Sequence, residues 1–224
     1  MIKFIYEDNH LLVVEKPVNI LSQGDDTEDQ DMVNALKKYV KEKYNKPGNV
    51  YIGLVHRLDR PVGGVMVFAK TSKAASRLSE QVRNKTFKKS YRAVVRGILD
   101  REGDSFVDYL YKDRKKNMVT VVGEDHKESK RAELSYRLIS SKNDLSLVEI
   151  DLKTGRPHQI RVQFASRNHP LYGDQRYGQD INKRGQQLAL WSHRIELEHP
   201  TTKEKMVFTS NPPENQPWGM FKVE

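Results

Sequence analysis

The feature that most constrains this chain is the spacing of its apolar residues. Ala132, Leu134, Tyr136 and Leu138 alternate with Glu133, Ser135 and Arg137, which is the period of a strand with one buried face. Short apolar runs recur at 2–6, 10–15, 50–55, 64–69, 90–96, 105–111, 117–122 and 145–152, and 187–198 with 204–209 reads as a closing hairpin. Three segments carry a helical period instead. The first has Val33, Leu36, Val40 and Tyr44 on one face and stops at Pro47-Gly48. The second starts at Thr71 or Ser72 with Ala75, Leu78 and Val82 inward, and the third follows Gly155 with Ile160 and Phe164. Many strands with three helices predict an α+β fold with much antiparallel sheet. Lys16-Pro17 closes the second strand, because proline has no N–H for a continuing ladder. Asp25, Asp26, Glu28, Asp29 and Asp31 precede the first helix. They read as solvated charge at a helix N-terminus rather than as a metal site.

Charge narrows the partner. The 224 residues include 39 Lys and Arg against 30 Asp and Glu, a formal charge of +9. Such an excess points to an anion, with nucleic acid the usual one. Arg83, Lys85, Lys88, Lys89 and Arg92 form one basic cluster, and Lys112, Arg114, Lys115 and Lys116 another. Phe87, Tyr91 and Tyr111 are interleaved with them as stacking surfaces for unpaired bases, or as ordinary core aromatics. There is no cysteine, which excludes disulfides, thiolate catalysis and cysteine-ligated metals. No run is long enough to span a bilayer and the first residues do not form a signal peptide. The chain reads as soluble and intracellular, a location the resemblance described below narrows to cytoplasmic, and, by length, as a single domain over 1–224.

Three motifs carry chemistry. His56-Arg57-Leu58-Asp59-Arg60 sits in a turn between apolar strands, where a reactive group is both exposed and rigidly aimed. The flanking arginines favour an ionised Asp59, able to act as nucleophile or base. Lys153-Thr154-Gly155-Arg156-Pro157-His158-Gln159-Ile160-Arg161 puts two arginines and a histidine near a helix start, a set able to hold phosphate or to fork onto a carboxylate. His169-Pro170-Leu171-Tyr172-Gly173-Asp174, with Tyr177-Gly178, reads as a mostly structural loop. His56, His158 and His169 lack the spacing of metal ligands on one helix, so no metal site is expected.

Taken in order, these motifs resemble the RluA-type pseudouridine synthases. The resemblance runs from Lys16-Pro17 through His56-Arg57-Leu58-Asp59, Gly63-Gly64 and Ala69-Lys70 to Tyr91-Arg92-Ala93. It continues through Thr154 to Arg161 and His169 to Asp174, covering roughly residues 1–210. It implies a mixed, mostly antiparallel sheet core with flanking helices and a central RNA-binding cleft. It implies that Asp59 is the catalytic aspartate acting on a flipped-out uridine. Tyr91 then stacks on the target base and helps move a proton, Arg161 pairs with the aspartate, and Arg57 fills the gap left by the base. His56, Arg60, Arg156, His158, Lys88 and Lys89 complete the residues expected to face RNA. Lys16-Pro17 is of mainly structural weight.

The reaction is an isomerisation and calls for no cofactor. The implied partner is ribosomal or transfer RNA, with no membrane, no obligatory protein partner and a monomeric state. The small RNA-binding module that often precedes the catalytic core in this family is not expected here. The sequence departs from the family's commonest pattern at Val62-Gly63-Gly64 and Gln163-Phe164, which bears on substrate contacts. Two rival readings are a non-catalytic RNA binder of the same fold and a hydrolase using His56 and Asp59.

Overall fold

The computed structural model of the protein describes residues 2–25 and 29–221, so Asp26 and Glu28 of the acidic run lie outside it. The described residues form eleven strands and three α-helices. They divide into two compact units, Met1–Lys89 with Ser192–Asn211, and Ser90–Trp191 with Pro212–Glu224. The α+β reading holds, with a mostly antiparallel sheet.

In the first unit β1 (Lys3–Glu7), β2 (Leu11–Lys16), β4 (Gly63–Ala69) and β10 (Leu190–Glu198, here from Ser192 on) lie side by side in that order. β3 (Gly53–Leu54) pairs with β4, and β11 (Lys205–Thr209) with β10. The Asp8 carboxylate closes the first hairpin by accepting from the N–H groups of His10 and Leu11, at 2.7 and 2.6 Å. All seven residues of β4 are buried, which is why its sequence is a continuous apolar run rather than an alternating one. Helices α1 (Met32–Lys43) and α2 (Ser72–Arg83) are capped by Asp31 and Thr71, whose side chains accept from the N–H of Asn34 and Ala74. Ala74 and Leu78 of α2 join Leu11, Val13, Val65, Val67, Ile195 and Phe208 in one apolar cluster.

Two local expectations change. The buried face of α1 is Met32, Leu36 and Val40, while Tyr44 stands at the C-cap and is 45% exposed. Leu36 and Val40 are buried as expected, but Met32 completes the i, i+4, i+8 face and Val33 is only half-buried at its margin. Of the run 50–55 only Gly53–Leu54 pairs as a strand, although Val50 and Ile52 are buried.

In the second unit the order is β5 (Lys88–Arg96, here from Ser90 on), β9 (Leu145–Leu152), β8 (Lys130–Lys142), β6 (Gly103–Asp113) and β7 (Met118–Val122). The alternation in β8 is as expected, with Ala132, Leu134 and Tyr136 buried, until a register shift between Leu138 and Ser140 ends it. Helix α3 (Gln159–Ala165) is buried from Gln159 to Phe164. Its Phe164 ring packs on Phe106 and Tyr136, at centroid distances of 5.1 and 5.5 Å. No helix of the described residues is long and apolar enough to cross a membrane.

Candidate active site

Asp59 lies in the first unit, in the turn that leads into β4. The turn is closed by the Val62 N–H donating to the Asp59 carbonyl at 2.9 Å. It is anchored from below by Ser22, whose Oγ accepts from the Leu58 N–H at 3.1 Å and donates to the Leu58 carbonyl at 2.7 Å. Leu58 itself is buried, so alternate residues of the turn face inward and outward: Arg57 is exposed and Asp59 half-buried. Arg60, also exposed, is held by Asp29 at 2.8 Å and by the Asn19 carbonyl at 3.3 Å.

Lys16 supports the same turn. Its side chain is fully buried. Its Nζ donates to the carbonyls of Pro17, Ile20 and Arg60 at 2.9, 2.6 and 3.1 Å, using all three ammonium protons on backbone acceptors. Burial drives its pKa down to about 7, with the Asp59 charge opposing the shift and Arg60 adding to it. The lysine that ends β2 thus ties the residue after Asp59 to the loop after Pro17. A further constraint comes from Gly64 at φ +114°, where a Cβ would stand 2.3 Å from the Ser192 carbonyl oxygen. The Ser192 hydroxyl donates to the next residue's carbonyl, that of Val65, at 2.9 Å. Glycine at this position is a condition of the close approach of β10 to the turn.

His56, expected to face substrate, is buried within the first unit. Its Nε2 accepts the Val67 N–H at 3.0 Å and its ring packs on Phe87. Nδ1 therefore carries the proton. Burial, and then the positive charge of Lys89, push the imidazole pKa down to about 3. Lys88 is exposed on the strand that follows, while Lys89 is half-buried and its pKa is lowered by that burial.

In the second unit Arg161 is buried on α3, and its guanidinium forks onto Asp174, Nε to Oδ2 and Nη2 to Oδ1, both at 2.8 Å. The Asp174 side chain is 0% exposed. Its Oδ1 also accepts from the N–H groups of Arg176 and Tyr177, at 2.9 and 3.2 Å. Burial alone would raise the Asp174 pKa, but the Arg161 hydrogen bonds and charge outweigh it and hold the carboxyl below its ordinary value. The Arg161 guanidinium also lies 5.2 Å from the Tyr177 ring centroid. The Tyr177 hydroxyl accepts the Val119 N–H at 3.0 Å and shares a hydrogen bond with His158 Nδ1 at 2.7 Å.

The loop bearing Asp174 is fixed in turn by Asn182. Its Oδ1 accepts from Gly173 N–H and Arg96 Nε, and its Nδ2 donates to the carbonyls of Leu171 and Asp174. Gln159 pins the other side of α3. Its Oε1 accepts from the Thr154 hydroxyl and the Arg156 N–H, and its Nε2 donates to the Glu133 carbonyl. Arg156 is half-buried, with Nε on the Arg131 carbonyl at 3.0 Å. Tyr91 is buried on β5. Sequence reasoning missed Asp174, Tyr177 and Gln159 as the residues that aim Arg161 and its loop. Their signal was their place inside the motifs already quoted.

The chain matches the family model "RNA pseudouridylate synthase" over residues 10–166, a stretch that contains Asp59, Tyr91 and Arg161 and parts of both units. It is 33% identical to an uncharacterized RNA pseudouridine synthase of Aquifex aeolicus, across 95% of this chain and 70% of that protein. It is 33% identical to ribosomal large subunit pseudouridine synthase C of Buchnera aphidicola, across 91% of this chain and 65% of the relative. With tRNA pseudouridine synthase C of Vibrio cholerae the identity is 28%, across 92% and 89%. Among solved structures, human RNA pseudouridylate synthase domain containing 4 shares the fold, with a TM-score of 0.79 at 21% identity over 94% of this chain and 88% of that one. The chain belongs to the RNA pseudouridine synthases of the RluA type, a family of isomerases.

Proposed function

We propose that this protein converts specific uridines of ribosomal or transfer RNA to pseudouridine, with Asp59 as the catalytic aspartate acting on a uridine extruded from its RNA. The observation that carries the reading is the Asp59 turn. A half-buried carboxylate stands beside an exposed arginine, on a backbone fixed by Ser22, Lys16 and Gly64. A reacting group must be held to within a fraction of an ångström, and that backbone supplies the rigidity.

The reaction breaks the N1–C1′ bond of uridine, turns the uracil, and joins C5 to C1′. The C5 hydrogen leaves as a proton and N1 ends protonated, so atoms balance with no net oxidation. Asp59 serves as nucleophile at C1′ or as base at the neighbouring carbon. Tyr91, on rigid β5, stacks on the target base and assists the proton transfer. Arg161, held by Asp174, is the arginine that pairs with the catalytic aspartate. Extruding a base costs a few kcal/mol, and Arg57, exposed beside Asp59, offsets part of that by entering the gap. His56 steadies the turn from within, while Arg60, Arg156, His158, Lys88 and Lys89 serve RNA contacts.

Chemical mapping of pseudouridine tests this in RNA from cells lacking the protein. One or a few uridines should lose the modification and regain it with wild type but not with Asp59→Asn. An unchanged map across ribosomal and transfer RNA would count against the proposal.

A further inference from the structure

Helix α1 carries Lys37, Lys38, Lys41 and Lys43 against one acid, Glu42. These lysines serve two different ends. Lys43 is used inside the unit, where its Nζ and that of Lys70 both donate to Glu7 at 2.7 Å. Lys37, Lys38 and Lys41 instead line an open groove of about 350 Å³ with Gly48, Asn49 and Val50, the segment just past the helix. Among the described residues neither Lys37 nor Lys41 has a carboxylate within 4.0 Å, and Lys38 reaches Glu42 only at that limit.

Helix stability does not account for Lys37 and Lys38. Cations favour the last turn of a helix, where its carbonyls are unsatisfied, and Lys41 and Lys43 occupy that turn. Lys37 and Lys38 lie earlier, beyond the reach of that effect. Lys38 and Lys41 are exposed and lie away from the buried face at Met32, Leu36 and Val40, while Lys37 is half-buried at its edge. Across the groove, Gly48 has φ +79° and nothing lies within 4 Å of where its Cβ would stand, so the backbone there is open to approach. Lys37 and Lys41 are one turn apart, about 6 Å along the axis, comparable to the step between successive phosphates of an extended strand. No acid lines the groove.

We propose that this groove is a second RNA-contact surface, holding the phosphate backbone that flanks the target uridine. The proposal rests on the RNA-modifying reading above. It adds a site remote in sequence from the basic clusters at 83–92 and 112–116.

The test is the triple variant Lys37→Gln, Lys38→Gln, Lys41→Gln, with an unchanged melting temperature as the control for folding. KM and kcat are measured by tritium release from total ribosomal and transfer RNA labelled at uracil C5. Binding of fluorescein-labelled total ribosomal RNA is measured from 50 to 200 mM salt. The expected result is a KM raised about tenfold at unchanged kcat. The slope of log affinity against log salt should fall by about 2, since three phosphate contacts at about 0.7 each are removed. Unchanged KM and slope in the variant, with wild type active, would overturn the groove and leave the enzymatic reading intact. If wild type itself releases no tritium, the enzymatic reading fails, and the salt slope alone still decides whether the groove binds RNA. Loss of binding to anionic vesicles with RNA affinity retained would assign the groove to a membrane and overturn the proposal.

Discussion

Replacing Arg161 by alanine should damage the fold as well as the chemistry, and the structure sets the size of the effect. Asp174 is fully buried and takes two 2.8 Å hydrogen bonds from the Arg161 guanidinium. Breaking a buried ion pair from one side costs about 3–5 kcal/mol, because the remaining charge is left uncompensated. Here the N–H groups of Arg176 and Tyr177 still reach Asp174, which places the loss near the lower end, about 3 kcal/mol. For a chain of this size each kcal/mol moves the melting temperature by about 2–4 °C, so Arg161→Ala should melt roughly 6–12 °C lower at pH 7. The pH dependence gives the effect a signature. In wild type the Asp174 pKa lies below its unfolded value. Its contribution to stability is therefore complete above about pH 4 and fades as the pH falls through the folded value. In the variant only the N–H groups of Arg176 and Tyr177 oppose burial, and Asp174 can shed its charge by taking up a proton. The gap in melting temperature between the two proteins should narrow as the pH drops from 7 toward 4. Calorimetry across that range is the assay. Equal melting temperatures at pH 7, or a gap independent of pH, would refute the assignment of Asp174 as the charge that Arg161 compensates.

Three other outcomes follow from the first unit. Gly64→Ala places a methyl 2.3 Å from the Ser192 carbonyl at φ +114°. Strain of about 1–3 kcal/mol and overpacking of similar size should add, seen as a large fall in melting temperature, and a near-wild-type value would contradict the close approach of β10. His56 has a folded pKa near 3 against an unfolded value near 6.5. As the pH falls from about 6.5 toward 3 only the unfolded chain takes up the proton, so wild type loses stability in that window. His56→Gln keeps an acceptor for Val67 and removes the titration, so its melting curve should decline less steeply with acid, and parallel curves would exclude a buried neutral His56. Asp59→Asn should bind RNA with wild-type affinity and melt at the wild-type temperature, and a clear loss of either would show that Asp59 serves structure more than chemistry.

Much of this architecture is legible because strand patterning reports burial directly. The alternation of 132–138 and the continuous apolar run of β4 are each the trace of how many faces a strand buries. The margin of the α1 face is less legible, since Met32 and Val33 are both apolar and only the i, i+4, i+8 register with Leu36 and Val40 puts Met32 in the core. The Asp59 turn and the Arg161 helix stand out as charged residues placed where backbone changes direction. What supports them does not stand out. Arg161 and Asp174 are thirteen positions apart, and nothing in local spacing joins a helix arginine to a loop aspartate read as structural. A lysine at a strand end reads as solvated, yet Lys16 is fully buried because three carbonyls converge on it from loops far apart in sequence. His56 reads as exposed for the opposite reason. Its neighbours Arg57 and Asp59 face outward, and only the pairing with Val67 turns it into the core.

The central claim is that Asp59 carries out uridine isomerisation, and loss of the C5 hydrogen reports that event directly. Wild type and Asp59→Ala would be incubated with C5-tritiated ribosomal and transfer RNA from cells lacking the protein, and tritium released to water counted. The expected result is release by wild type, none by Asp59→Ala, and pseudouridine at the same sites mapped in cells. Equal release by both proteins would contradict the role of Asp59. Tight binding by wild type without release from any pool would contradict the reaction.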